Sequence, residues 1–216
     1  MSDISPIAVI VVDDDREVLD AIDLRLRRDP EITVAALYQS AEECLAGVVH
    51  LHPDVAIVDM RLQRGANDGV ELIRQLRTRF PKIRCIVYTA TDYRSQYLAE
   101  AVNAGAVGYL IKGKRNLAEI IKSIAHGEVI IDEALVPRLK EIIEEDIGAS
   151  TEPHLDNRDR DILRLLKQGQ SADEIAQTLV MQVGTVRWYL QRLRDKFRVH
   201  SNDSLRLIAY LRDNAA

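Results

Sequence analysis

Cysteine is almost missing from this 216-residue chain: Cys44 and Cys85 are the only two, each inside a segment of apolar periodicity. So placed, they read as two buried, reduced thiols, which excludes a disulfide framework. The five histidines, at 50, 52, 126, 154 and 200, lack any spacing that puts two imidazoles on one helix face, so no zinc site is expected. Long apolar runs are missing too. The stretch from 7 to 12 is far short of the roughly 20 residues that cross a bilayer, and no charged-then-apolar export signal precedes it. Internal repeats and low-complexity segments are also missing. Together these absences predict a cytoplasmic protein that makes no membrane contact.

What is present suits a soluble globular protein: 47% hydrophobic and 29% charged residues, enough apolar material to bury a sizeable core. The length favours two modest domains over one. A net charge of −5 conceals an asymmetry, because residues 151–216 hold 11 basic and 9 acidic side chains while 1–150 hold 18 and 25. An acidic body joined to a mildly basic end predicts different partners for the two parts.

Residues 7–126 alternate short β-branched runs with longer segments of helical spacing. Strands are predicted at 7–12, 32–38, 55–58, 83–88 and 107–111, and helices at 16–28, 41–50, 69–80, 93–104 and 116–126. Mostly apolar strands alternating with helices predict a parallel sheet covered on both faces. Gly105 and Gly127 supply helix stops. A further helix is predicted over 132–146, and the small, polar segment 148–153 reads as a linker. Only helices follow, at 158–168, 172–179, 185–197 and 204–213.

Ligands of open parallel sheets sit outside the carboxyl ends of the strands. Asp13, Asp14 and Asp15 follow the first strand and Asp59 the third; Thr89 and Lys112 follow the fourth and fifth. Crowded carboxylates repel unless a cation or a shared proton relieves them, and hard oxygen ligands with room for water suit Mg²⁺. A carboxylate can also be a nucleophile toward phosphorus when nearby cations offset the incoming charge. The competing reading is that Asp13–Asp15 only cap the helix starting at Arg16. Four such positions at one sheet end favour the pocket.

Val11-Val12-Asp13-Asp14, Val58-Asp59-Met60, Thr89-Ala90 and Gly108-Tyr109-Leu110-Ile111-Lys112 resemble the signature set of two-component receiver domains. The resemblance spans residues 5 to about 127. It implies Asp59 as phosphoacceptor, and Mg²⁺ held by Asp14, Asp59 and the Arg61 carbonyl, with Asp13 supporting the metal through water. Thr89 and Lys112 would ligate phosphoryl oxygens. Tyr109 resembles the aromatic switch residue whose ring turns inward as Thr89 moves toward the phosphate; a plainly packed tyrosine is the other reading. The segment 63–67 looks like a lengthened loop beside the site, where Arg61 and Arg64 would approach a phosphoryl group or a kinase. Gly113 stands where many receivers have Pro, a residue that regulators of the NarL/FixJ type often lack too.

Leu155 through Ala209 resembles a LuxR-type helix-turn-helix, through Asp161-Ile162-Leu163-Arg164-Leu165-Leu166, Ser171-Ala172-Asp173-Glu174-Ile175-Ala176 and Thr185-Val186. Ile175, Ala176, Leu179, Val186, Leu190 and Leu193 are its candidate core. In such a motif the third helix enters a major groove while the second braces it. Arg187, Arg192, Arg194, Lys196 and Arg198 face a single acid, Asp195, on or just beyond that helix. This is an electrostatic footprint for phosphates, or else a solvated helix face. The resemblance puts Thr185, Arg187, Trp188 and Gln191 toward bases, with Arg192 and Lys196 suited to backbone phosphates. Trp188 replaces a smaller side chain, and Gln182-Val183-Gly184 replaces the usual capping turn.

The implied fold is a flavodoxin-like five-stranded parallel-sheet receiver domain (1–130), a helix and linker (131–153) and a small all-α helix-turn-helix domain (154–216). The implied function is a response regulator, phosphorylated on Asp59 by a sensor histidine kinase with Mg²⁺, binding duplex DNA and forming a homodimer when active. The alternative keeps the phosphoacceptor but uses the atypical helix-turn-helix for protein interaction. An enzyme acting on other molecules would need a substrate pocket and a further acid-base residue, so none is expected.

Overall fold

The computed structural model describes residues 5–62, 68–90, 95–113, 116–147, 153–197, 199 and 201–213. The lengthened loop at 63–67, with Arg64, and most of the linker, 148–152, lie outside the described residues, as does Arg198. The first half runs β1 (Ile7–Val12), α1 (Arg16–Leu26), β2 (Ile32–Tyr38), α2 (Ala41–Gly47), β3 (Val55–Val58), α3 (Asp68–Arg79), β4 (Arg84–Thr89), α4 (Ser95–Ala104), β5 (Gly108–Ile111), α5 (Leu117–Ala125). The strands form a parallel sheet ordered β2-β1-β3-β4-β5 and extended by β6 (Ile130–Ile131). The expectation of five strands is thus corrected to six among the described residues. A two-residue strand has no period to read; it exists because Gly127, at φ +99°, returns the chain alongside β5.

Buried β1, β3 and β4 carry the core, with Val9–Val12, Val55–Val58 and Cys85–Val87 almost wholly out of solvent. Cys44 and Cys85 are both free and buried there, and burial pushes each thiol up to about 12. Such thiols are inert.

Asp132 opens a 3₁₀ turn over Glu133–Leu135 that continues as α6 (Val136–Ile147), so the predicted helix starts slightly later and tighter than expected. The second half comprises α7 (Asn157–Lys167), α8 (Ala172–Thr178), α9 (Val183–Phe197) and α10 (Asn202–Asp213). Asp156 with Asp159 and Ser171 with Glu174 form reciprocal capping boxes on α7 and α8. Ile175, Ala176, Val186, Leu190 and Leu193 are buried as expected, and Leu179 partly so. α9 begins two residues earlier than predicted, taking in Val183 and Gly184 and shortening the turn. None of the described helices is long and apolar enough to cross a membrane.

Val180 in that turn sits at φ +52° and is 93% exposed. A β-branched residue is strained there, and its exposure means nothing repays the strain through packing. Asparagine tolerates this conformation. Val180→Asn is therefore expected to stabilise the protein by about 1 kcal/mol, raising the thermal midpoint by about 2–4 °C in calorimetry.

The two halves share packed surface. α10 faces both ways: Leu205, Ile208 and Ala209 join the helical core, while Leu207 and Leu211 join the core of the sheet half. Ser204 Oγ donates to the Val102 carbonyl at 3.1 Å. Asp203 pairs with Arg77 of α3, with Arg84 of β4 at 3.3 Å, and with Arg206 of its own helix at 2.6 Å. Gly127 and Gly169 meet backbone to backbone, a Cβ on Gly127 falling 2.8 Å from the Gly169 carbonyl oxygen.

Candidate functional site

Parallel pairing of β1 with β3, Val12 opposite Val58, places the next residues, Asp13 and Asp59, side by side. The Asp59 amide donates to the Val12 carbonyl at 2.9 Å, and the Asp13 amide to the Tyr38 carbonyl at 3.1 Å, so both are fixed by the sheet. Thr89 pairs with Ile111, and the Lys112 amide donates to the Thr89 carbonyl at 2.7 Å, which brings the fourth and fifth strand ends to the same rim. The sheet thus gathers Asp13, Asp14, Asp59, Thr89 and Lys112, the residues singled out by sequence. Gly69, opening α3, lies against the Asp59 backbone so closely that a Cβ would fall 1.9 Å from its carbonyl oxygen. Any side chain at 69 would displace the strand end.

Asp15 is the residue that caps α1, its carboxylate accepting from the Glu17 amide at 2.9 Å. The capping reading therefore holds for Asp15, and leaves Asp13 and Asp14 to the pocket. Lys112 Nζ lies 2.7 Å from an Asp13 oxygen and 2.8 Å from one of Asp59. Burial alone would push the ammonium down; the hydrogen bonds to Asp13 and Asp59 outweigh it and hold Lys112 above its ordinary value. Burial pushes the Asp13 carboxyl up, and the Lys112 hydrogen bond offsets this only in part. One ammonium is too little for three carboxylates.

Asp13, Asp14 and Asp59 each present an oxygen within 4.8 Å of the others, the one such metal-capable cluster among the described residues. An all-oxygen donor set with surplus negative charge fits a hard divalent cation such as Mg²⁺. The Arg61 amide donates to Asp59 Oδ1 at 3.3 Å, keeping its carbonyl near the same loop. Thr89 is buried, its hydroxyl 3.4 Å from the Ala90 carbonyl. The Tyr109 ring is turned inward and fully buried, its hydroxyl donating to the Ala106 carbonyl at 3.0 Å, and burial pushes that hydroxyl well up.

On α9, Thr185, Arg187, Trp188 and Gln191 form one outward face; Trp188 is 57% exposed. Gln191 Nε2 donates to Asp195 at 2.9 Å, and Arg187 lies 3.8 Å from Asp173. Arg192 and Lys196 have a different situation from the one expected of phosphate contacts. Both turn onto Asp159, which is fully buried: Lys196 Nζ reaches it at 2.7 Å, and Arg192 pairs with it and with Asp156. A buried carboxylate demands counter-charge, and these two cations supply it. Arg192 also stacks on Trp188 and Tyr189, 5.1 and 4.7 Å from the ring centroids, so the indole has a cationic neighbour.

Burial alone would raise the Asp159 carboxyl; the Lys196 and Arg192 hydrogen bonds outweigh it and hold the group below 3.8. A depressed carboxyl contributes stability above its unfolded value that is lost as pH falls through the lower folded value. The helical half is thus expected to lose stability progressively below about pH 4, followed by circular dichroism. Arg192→Ala should flatten that dependence and lower the midpoint already at neutral pH.

Residues 9–125 match the family described as response regulator receiver domain, and 153–209 match bacterial regulatory proteins of the luxR family. The DNA-binding transcriptional activator DevR/DosR of Mycobacterium tuberculosis is 33% identical over 197 residues, covering 88% of each chain. The nitrate/nitrite response regulator NarL of Escherichia coli K12 is 27% identical over 206 residues, covering 93% of this chain and 94% of NarL. The solved structure of the Salmonella typhimurium response regulator RcsB superimposes with a TM-score of 0.57 at 20% identity, over 95% of this chain and 99% of RcsB, a likeness of fold. Two tandem family matches, and a relative one-third identical along most of both chains, place this protein in the two-component response regulators of the NarL/FixJ type, transcription regulators with a receiver domain and a LuxR-type DNA-binding helix-turn-helix.

Proposed function

We propose that Asp59 accepts a phosphoryl group from a sensor histidine kinase in a Mg²⁺-dependent reaction, and that this modification controls duplex DNA binding by α9 and hence transcription. The observation that carries it is the set of Asp13, Asp14 and Asp59 oxygens within 4.8 Å, with Lys112 bridging two of them. Asp14, Asp59 and the Arg61 carbonyl would hold the metal, with Asp13 supporting it. When bound, Mg²⁺ supplies charge neutralisation of the phosphoryl oxygens. An Asp59 oxygen attacks phosphorus as the bond to the donor's histidine nitrogen breaks. Lys112, already on Asp59, follows the new oxyanion, and the Thr89 hydroxyl turns from the Ala90 carbonyl to donate to a second oxygen. The gain of nearly two negative charges on Asp59 is the trigger, read out through Thr89, while the Tyr109 ring already lies inward and would be held there rather than swing in. The chemistry alters the protein itself, so the chain acts as a regulator rather than an enzyme, and we place it in the cytoplasm.

The DNA-facing residues in this reading are Thr185, Arg187, Trp188 and Gln191, with the part-exposed Arg192 and Lys196 bracing the helix through Asp159 and near enough to the surface to meet backbone phosphates. Two such faces in a homodimer would engage two half-sites together. Arg187→Ala is expected to weaken binding to a selected operator roughly 10- to 100-fold in gel shifts, with the thermal midpoint unchanged. A second reading, in which α9 docks a protein, is favoured by the exposed Trp188; it predicts no salt-dependent binding of any duplex.

A further inference from the structure

We propose that the cleft between the two halves of the molecule is a second ligand site, one that takes a small phosphate-bearing anion up to the size of a nucleotide. The cleft has a volume of about 570 Å³ and lies well away from Asp59, between the start of α10, the end of α3, the start of β4 and α9. Its charged lining is one-sided: Arg77, Lys82, Arg84, Arg194 and Arg206 against Asp54 and Asp203. Asp54 keeps its charge while accepting from the Ala8 amide at 2.9 Å, so the lining holds five cations against two carboxylates.

Three guanidiniums converge on the single carboxylate of Asp203, a surplus of two positive charges at a place only partly open to water. Arg77 and Arg206 satisfy donors on carbonyls, of Pro81 and Ile83 and of Leu166, Gly169 and Gln170. Those bonds occupy hydrogens without cancelling charge. Arg84 holds Asp203 only at 3.3 Å, and its guanidinium is pushed down by burial, with Arg206 and Arg77 repelling it against the attraction of Asp203. A cationic cluster this poorly compensated is stabilised by an anion, and planar guanidinium forks suit phosphate oxygens. Gln170, Ser171 and Asn202 complete a polar lining that offers hydrogen bonds rather than an apolar slot.

The cations come from both halves, Lys82 and Arg84 from the sheet half and Arg194 and Arg206 from the helical half. An anion held between them ties α9 and α10 to the receiver, an input independent of Asp59. The test is calorimetric titration of the full chain carrying Asp59→Asn, in EDTA and without DNA, with pyrophosphate against a sodium chloride control of equal ionic strength. The expected result is saturable one-to-one binding with a raised thermal midpoint, weakened at least tenfold by Arg84→Gln and by the surface pair Lys82→Gln with Arg194→Gln. Absence of saturable binding overturns the site. So does binding unchanged in the surface pair, which decides the matter if Arg84→Gln does not fold. Duplex DNA added in a second titration that displaces the pyrophosphate would assign the cleft to the DNA backbone and likewise overturn it.

Discussion

Asp59→Asn is expected to take acid-labile phosphate incorporation from a small phosphodonor with Mg²⁺ down to background, read by radiolabel or intact mass. The physical basis is narrow: an amide is no nucleophile toward phosphorus, yet it keeps the size of the carboxylate and an oxygen that can still accept from Lys112. One of three crowded carboxylates is removed, so the fold should not suffer, and the thermal midpoint in EDTA should hold or rise. Loss of label with the fold intact therefore reports chemistry. Labelling retained in this variant would place the phosphoacceptor elsewhere and remove the basis of the proposed function. Lys112→Ala separates the steps further, because it leaves the nucleophile in place and withdraws the cation that follows the phosphoryl charge.

Asp203→Ala should have the largest effect on stability. It leaves Arg77, Arg84 and Arg206 converging on nothing across the contact between the halves, and breaking a buried ionic cluster by removing one partner costs about 3–5 kcal/mol. For a chain of this length that corresponds to a fall of about 10 °C in the calorimetric midpoint. The loss should be accompanied by faster proteolysis of α10, whose Leu207 and Leu211 are covered by the receiver core. An unchanged midpoint would show that the halves are held by Leu207, Leu211 and the Ser204 hydrogen bond alone.

How much of this was legible beforehand differs by site. Asp13, Asp59, Thr89 and Lys112 each follow a short apolar run, and parallel-sheet topology forces such positions to one rim, so the acidic pocket could be read from order alone. The sixth strand could not, since two residues carry no alternation. The pairing of Arg192 and Lys196 with Asp159 could not be read, because local charge on a helix says nothing of a buried partner more than thirty residues away; Asp159 itself reads as an ordinary first-turn acid. The signal was present only as the capping-box spacing from Asp156. The Asp203 cluster was equally hidden: Arg77 and Arg84 sit on a predicted helix end and strand start, and nothing in their spacing points to a residue over a hundred positions later.

The two-sidedness of α10 bears on how this protein can be cut. By family match the chain divides near residue 153, and a fragment from there to the end would seem a natural unit. The apolar strip of Leu207 and Leu211 belongs to the other half's core, so that fragment would carry an uncovered hydrophobic stripe into water, while the receiver fragment would carry the vacant seat. The place where the backbone is easiest to sever is not the place where the packing divides. Truncations intended to free the DNA-binding half will need polar replacements at 207 and 211 to remain soluble.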